Sequence, residues 1–130
     1  MPNVLIVDDD PDGCEPVARA IERMGHTVRC AVNGRDALAE LVGPQNVHLV
    51  ILDIRMPGMD GIKLLEIMRS YLRWHKMPVI LLSAYVTEEH AHQARAMGVW
   101  HVFHKTQYQL EDLIAAVNEL SADGEDRRQS

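Results

Sequence analysis

The fold is decided by the stretch Val4-Leu5-Ile6-Val7-Asp8-Asp9-Asp10, in which four apolar residues run directly into three carboxylates. Unbroken apolar character is typical of a β-strand with both faces buried, because a strand with one solvated face alternates polar and apolar residues. Similar runs recur at residues 47–52, 78–82 and 99–103, with a weaker one at Thr27–Ala31. The sequence therefore predicts five strands.

Segments with helical spacing of apolar residues separate these runs, as where Ile62, Leu65 and Met68 share one helical face. Three helix starts carry N-cap signals: Asp12 with Glu15 as a capping box, Asn33, and Asp60. Five alternations of strand and helix predict an α/β fold with a doubly wound parallel sheet flanked by five helices. We expect one domain over residues 1–120, followed by a polar C-terminal tail over residues 121–130.

Composition excludes several classes of protein. The 130 residues carry a net charge of -6 and no long basic cluster, which disfavours direct nucleic-acid binding. No apolar run approaches the roughly 20 residues that span a bilayer. Two cysteines, Cys14 and Cys30, are too few for a disulfide framework, so we expect reduced thiols and a cytoplasmic location.

Polar side chains follow four of the predicted strands. Asp8 and Asp9 follow the first strand and Asp53 the third, while Ser83 ends the fourth and Lys105 comes after the fifth. Ligands of such sheets bind beyond the carboxyl ends of the strands, where these side chains should meet. Three carboxylates in one crevice are unfavourable unless a cation offsets their charge or a pKa rises, and carboxylate oxygens suit Mg²⁺.

Four segments at these strand ends carry a resemblance to a known family: residues 4–11, residues 52–61, Leu82-Ser83-Ala84 and His104-Lys105-Thr106. Together they resemble the receiver domain of two-component response regulators, and the resemblance covers about residues 3–120. It implies the flavodoxin-like receiver fold, with the five strands in the order 2-1-3-4-5.

The resemblance also implies a role for each residue of the constellation. Asp53 is expected to accept a phosphoryl group, and Ser83 and Lys105 to bind its oxygens. Mg²⁺ is expected on Asp8, Asp9, Asp53 and the backbone carbonyl of Arg55, with Asp8 acting through water. The function implied is a signalling switch that promotes its own phosphorylation and dephosphorylation and is not an enzyme in the usual sense.

The implied partners are proteins. A sensor histidine kinase or a histidine phosphotransfer protein would donate the phosphoryl group, and a downstream protein would read the altered surface. That surface is expected at about residues 88–120, the last helix–strand–helix unit, through which a homodimer could also form. Neither nucleic acid nor a membrane is an expected direct partner.

Two residues depart from the family pattern. Val102 stands where most receivers carry Tyr or Phe, and Phe103 cannot substitute because adjacent strand residues face opposite sides. Thr106 stands where the family usually has proline, so the bend there must form differently. Arg55 and Tyr85 are bulky neighbours of the site, and we hypothesise that they restrict water and set the lifetime of the acyl phosphate.

Four alternatives compete with this interpretation. The Asp8-x-Asp10-x-Asp12-Gly13 pattern mimics an EF-hand loop, but Arg19 occupies the position that requires a bidentate Glu. A haloacid-dehalogenase-type phosphatase would place its nucleophile after the first strand in a longer chain. A docking-only receiver and a small Mg²⁺-dependent aspartyl phosphatase remain the rival functions.

Overall fold

Five parallel strands form a single sheet in the computed structural model, which describes residues 3–56 and 58–129, without the side chains of residues 120–129. The strands are β1 (Asn3–Val7), β2 (Thr27–Ala31), β3 (Leu49–Leu52), β4 (Val79–Ser83) and β5 (His101–His104). Their order is β2-β1-β3-β4-β5, so the predicted order 2-1-3-4-5 is confirmed.

Five helices alternate with the strands along the chain, namely α1 (Pro11–Glu22), α2 (Gly34–Val42), α3 (Gly61–Ser70), α4 (Glu88–Ala96) and α5 (Leu110–Gln129). Residues of β1 point alternately to the two faces: Val4 and Ile6 pack in a core with α1 and α5, whereas Leu5 and Val7 pack in a core with α2 and α3. The unbroken apolar runs of β1, β3 and β4 are explained by this arrangement, because these central strands are covered on both faces.

Helix starts follow the predicted caps in two of three cases. The side chains of Asn33 and Asp60 accept hydrogen bonds from backbone N–H groups of α2 and α3. The prediction for α1 was wrong, since Asp10 is the N-cap and its carboxylate accepts from the backbone N–H of Asp12. The helix begins two residues earlier because Pro11, with its fixed φ and missing N–H, is well suited to the first helical position.

Cys14 and Cys30 are joined in a disulfide, so the prediction of two reduced thiols is wrong for this structure. Cys14 lies in the first turn of α1 and Cys30 in β2, with their Cα atoms 6.7 Å apart. The two cysteines are 16 residues apart in sequence. They come into contact because α1 packs across the edge of the sheet formed by β1 and β2. Counting cysteines could not reveal this tertiary proximity.

The C-terminal helix is longer than the sequence suggests. Backbone of α5 continues to Gln129, through the segment that we expected to be a separate polar tail. The division of the chain at residue 120 therefore stays a prediction. Within the described part of the chain, none of the helices has the length and apolar character needed to cross a membrane.

Candidate functional site

The carboxylates of the site are positioned by the last hydrogen bonds of the sheet. The backbone N–H of Asp53 donates to the carbonyl of Val7 at 2.9 Å, and that of Asp8 donates to the carbonyl of Ala31 at 2.9 Å. Both residues therefore extend the strand ladder by one step. Their side chains lie at the same edge because parallel strands end together.

Asp8, Asp9 and Asp53 form one acidic cluster, called the acidic pocket below, with carboxylate oxygens all within 4.8 Å of one another. Asp8 and Asp53 are buried, at 4% and 7% exposure, whereas Asp9 is exposed. Bringing like charges together out of water is unfavourable without a compensating cation. A set of oxygen donors with one open side fits a hard divalent ion such as Mg²⁺.

Two further side chains reach the acidic pocket from the neighbouring strands. Ser83, at the end of β4, donates from Oγ to Oδ1 of Asp53 at 2.6 Å. Lys105, just after β5, forms an ion pair with Oδ2 of Asp8, and its Nζ lies 3.6 Å from Oδ2 of Asp53. The structure thus brings together all five side chains that the sequence singled out.

Electrostatics at Asp53 are a balance of opposing effects. Burial raises the pKa of its carboxyl group, while the hydrogen bond from Ser83 and the charge of Lys105 lower it. For Lys105, burial lowers the pKa, but the hydrogen bond and charge of Asp8, aided by Asp53, prevail and raise it. Lys105 therefore stays charged beside a carboxyl group whose pKa burial raises.

Two glycines allow the backbone to approach the acidic pocket, a role that their positions in the sequence did not reveal. A Cβ placed on Gly61, the first residue of α3, would lie 2.1 Å from the carbonyl oxygen of Asp53. A Cβ on Gly13 would lie 2.9 Å from Oδ2 of Asp8 and 3.3 Å from Nζ of Lys105. Neither requirement leaves a signal in a single sequence, because each close approach depends on how the loop after the strand folds back onto the strand end.

Arg55 and Tyr85 form a pair at the rim of the site. The guanidinium carbon of Arg55 lies 4.3 Å from the centroid of the Tyr85 ring, a cation–π contact between two exposed side chains. The backbone N–H of Arg55 is 3.4 Å from Oδ1 of Asp53. Arg55 therefore stands beside the buried carboxylate, and Tyr85 contacts Arg55 from the loop that follows β4.

The two departures from the family pattern have clear structural positions. Val102 packs against the core beneath α2 and α3, and Phe103 packs against the opposite core, which confirms that Phe103 cannot take the place of Val102. The bend at Thr106 is made by a turn in which the carbonyl of His104 accepts from the N–H groups of Gln107 and Tyr108. A proline is not needed to close that turn.

Comparison with known proteins decides the family. A family model described as the response regulator receiver domain matches residues 4–118. The chain belongs to the response regulator receiver domain family. The regulatory protein AtoC of Escherichia coli is 41% identical over 97 residues, which cover 75% of this chain and 20% of AtoC. This receiver therefore spans only a fifth of that relative.

Solved receiver structures agree with this assignment. A response regulator receiver protein from Pseudomonas putida superposes with a TM-score of 0.86 at 26% identity, covering 92% of this chain and 97% of that one. TrrA from Thermotoga maritima, solved in complex with Mg²⁺-BeF, gives a TM-score of 0.79 at 29% identity, covering 92% and 99%. As a receiver domain of two-component response regulators, this chain is a signalling domain.

Proposed function

We propose that this receiver is a cytoplasmic signalling switch that accepts a phosphoryl group on Asp53. The observation that carries the proposal is the surroundings of this one carboxylate, which accepts a hydrogen bond from Ser83 and lies near the charge of Lys105. Phosphoryl transfer requires mainly positioning and charge neutralisation from the protein. Ser83 and Lys105 can supply both, because each is fixed at the end of a strand.

The donor is a phosphohistidine of a sensor kinase or phosphotransfer protein. An oxygen of the Asp53 carboxylate attacks phosphorus, a new O–P bond forms, and the P–N bond to the donor imidazole breaks. The departing imidazole nitrogen keeps the bonding electron pair and takes up a proton. Asp53 must be ionised to attack, and Ser83 and Lys105 favour that form against the effect of burial.

The acidic pocket would hold Mg²⁺ through Asp9, Asp53 and the backbone carbonyl of Arg55, with Asp8 acting through water. When bound, the ion supplies positive charge to the phosphoryl oxygens. Ser83 would donate a hydrogen bond to one of these oxygens, and Lys105 would pair with another. Support comes from the oxygen-rich cluster here and from the Mg²⁺-BeF complex of TrrA, a receiver of the same fold.

The response would pass to another protein through the face formed by α4, β5 and α5. Phosphorylation adds negative charge at Asp53, which draws Ser83 and Lys105 inward and shifts the segments that carry them. A downstream protein binds according to that change, and a homodimer could form through the same face. Direct contact with nucleic acid forms no part of this proposal.

Intact-mass measurement tests the proposal. The protein is incubated with Mg²⁺ and a small phosphoramidate donor, and separately with a phosphorylated histidine kinase. We expect a gain of one phosphoryl group that Asp53→Asn abolishes and that the control Asp12→Asn retains, because Asp12 is exposed and outside the acidic pocket. No adduct from any donor would favour a docking-only receiver, and repeated release of phosphate from other substrates would favour a phosphatase.

A further inference from the structure

We propose that the Cys14–Cys30 pair is a thiol–disulfide exchange site whose redox state controls the acidic pocket. The two cysteines differ in access to solvent: Cys14 is 2% exposed and packs in the core between α1 and the sheet, whereas Cys30 is exposed. Cys30 lies on β2, the edge strand of the sheet. Cys14 is therefore enclosed in the protein interior, whereas Cys30 is open to solvent.

This asymmetry determines how the bond opens. The thiolate of a low-molecular-weight thiol such as glutathione attacks Sγ of Cys30 and forms a mixed disulfide, while the Cys14–Cys30 bond breaks and Cys14 leaves as a thiolate that takes a proton. A second thiolate attacks the sulfur of the small molecule, releasing Cys30 and the oxidised small-molecule disulfide. In the reverse direction, Cys14 displaces the small thiol from Cys30 and restores the bond.

The chain neighbours of both cysteines touch Asp8. Gly13, next to Cys14, brings the first turn of α1 so close to Asp8 that an added Cβ would lie 2.9 Å from its Oδ2. Ala31, next to Cys30, accepts the hydrogen bond from the N–H of Asp8 at 2.9 Å. The disulfide therefore holds together the two segments that enclose this buried carboxylate.

Opening the disulfide allows α1 and the end of β2 to move independently. Asp8 and its partner Lys105 then lose part of the support that fixes them beside Asp53. We expect the acidic pocket to bind Mg²⁺ more weakly in the reduced protein than in the oxidised protein. This coupling rests on the metal site of the proposed function, whereas the exchange chemistry at Cys30 does not.

Thiol counting tests the exchange site. The full chain is equilibrated in glutathione buffers of graded redox ratio, then alkylated with iodoacetamide in denaturant so that the buried Cys14 also reacts, and weighed intact. We expect the folded protein to pass reversibly from no alkyl groups to two as the buffer becomes more reducing. In Cys14→Ser, Cys30 should form a mixed disulfide with glutathione, and in Cys30→Ser the buried Cys14 should resist it. Two free thiols at every ratio, or a bond that excess glutathione never opens, would overturn the proposal.

Titration calorimetry with MgCl₂ tests the coupling on the oxidised and the reduced protein. Coupling between two sites is typically worth a factor of about five or more, so we expect Mg²⁺ affinity to fall by at least about fivefold on reduction. Cys30→Ser should bind Mg²⁺ with the affinity of the reduced protein, and this affinity should not change with the redox buffer. Equal affinities in the two states would overturn the coupling. If Mg²⁺ bound neither state, the metal site of the proposed function would fail, and the mass measurement would still decide the exchange site separately.

Discussion

Asp53 shows how a single side chain acquires its chemistry from residues remote in sequence. Its Oδ1 accepts from Ser83, 30 residues further along the chain, and its Oδ2 faces Lys105. Asp8 adds a negative charge that works with burial to raise the pKa of Asp53. Burial therefore leaves the pKa of Asp53 above its usual value, and removing Ser83 or Lys105 should raise it further.

We predict that the contact between Arg55 and Tyr85 makes the acyl phosphate last longer than it does when either side chain is removed. The pair stands beside Asp53, and an exposed cation–π contact is worth about 0.5–1 kcal/mol. Arg55→Ala and Tyr85→Ala should each let water reach the phosphoryl group more often and raise the dephosphorylation rate by about two- to fivefold. The rate is measured as loss of the phosphoryl mass after the donor is removed.

Arg73 offers a matched control for this prediction. Its guanidinium lies 5.4 Å from the ring centroid of Trp74, a similar pair that does not border Asp53. Arg73→Ala should leave the dephosphorylation rate unchanged. If Arg55→Ala behaved like Arg73→Ala, the pair would play no part in the lifetime.

The raised pKa of Tyr108 predicts that the free energy of unfolding depends on pH in the alkaline range. Burial raises the pKa of its hydroxyl, although the charge of Lys105 works in the opposite direction. Above the unfolded-state value of about 10, the unfolded chain loses this proton while the folded chain keeps it. The stabilisation that the protonated Tyr108 gives the folded state is complete below the unfolded-state pKa. It is lost as the pH rises from that value towards the pKa of Tyr108 in the folded state. The difference between the alkaline unfolding curves of wild type and Tyr108→Phe should show this loss, and parallel curves would refute it.

Single residues also mark the limit of sequence reasoning. Five side chains of the site were identifiable because each lies within two residues of the end of an apolar run, and parallel strands bring their ends together; these are Asp8, Asp9, Asp53, Ser83 and Lys105. The Cys14–Cys30 bond was missed, because it depends on how closely two elements pack rather than on a local pattern.

At the scale of elements, burial on both faces made the central strands easy to recognise. All four residues of β3 and all five of β4 are buried, and their runs are unbroken in the sequence. Strand β5 is only half-buried and α4 buries little beyond Ala94, so both left weaker patterns. The start of α1 was misplaced because the run from Asp8 to Asp12 contains several acids able to cap a helix.

Helix α3 supplies a prediction about the approach of an element to the site. An alanine at Gly61 would place Cβ against the backbone of Asp53, which cannot move without displacing the proposed phosphoacceptor. Gly61→Ala should lower the free energy of unfolding by about 1–3 kcal/mol, the usual cost of overpacking, and should slow phosphorylation. Urea denaturation at constant m-value measures the first effect.

Gly34 is the matched control, because it is likewise the first residue of a helix. A Cβ there would meet the side chain of Met59, with the sulfur nearest at 2.6 Å. A flexible thioether can move aside, so Gly34→Ala should cost less than Gly61→Ala. Equal losses for the two variants would show that the backbone of Asp53 is free to shift.

At the scale of the whole molecule, the net charge of -6 is partly concentrated in one place. Three carboxylates gather at the carboxyl edge of the sheet, and two of them are buried. In the absence of a bound cation, Lys105 offsets only one of these charges. The fold therefore carries unfavourable electrostatic energy at its functional edge, and a cation that binds only the folded chain should relieve it.

Mg²⁺ should accordingly stabilise the entire fold. At a concentration about one hundred times its Kd, a ligand specific to the folded state adds about 2.7 kcal/mol to the free energy of unfolding. Asp9→Asn should lose most of this gain. Without Mg²⁺ the same variant should be at least as stable as wild type, because one of three clustered negative charges is gone and Asp9 is exposed. Asp12→Asn should keep the full response to Mg²⁺. Urea unfolding with and without the ion measures both effects, and an undiminished gain in Asp9→Asn would show that Asp9 is not a ligand.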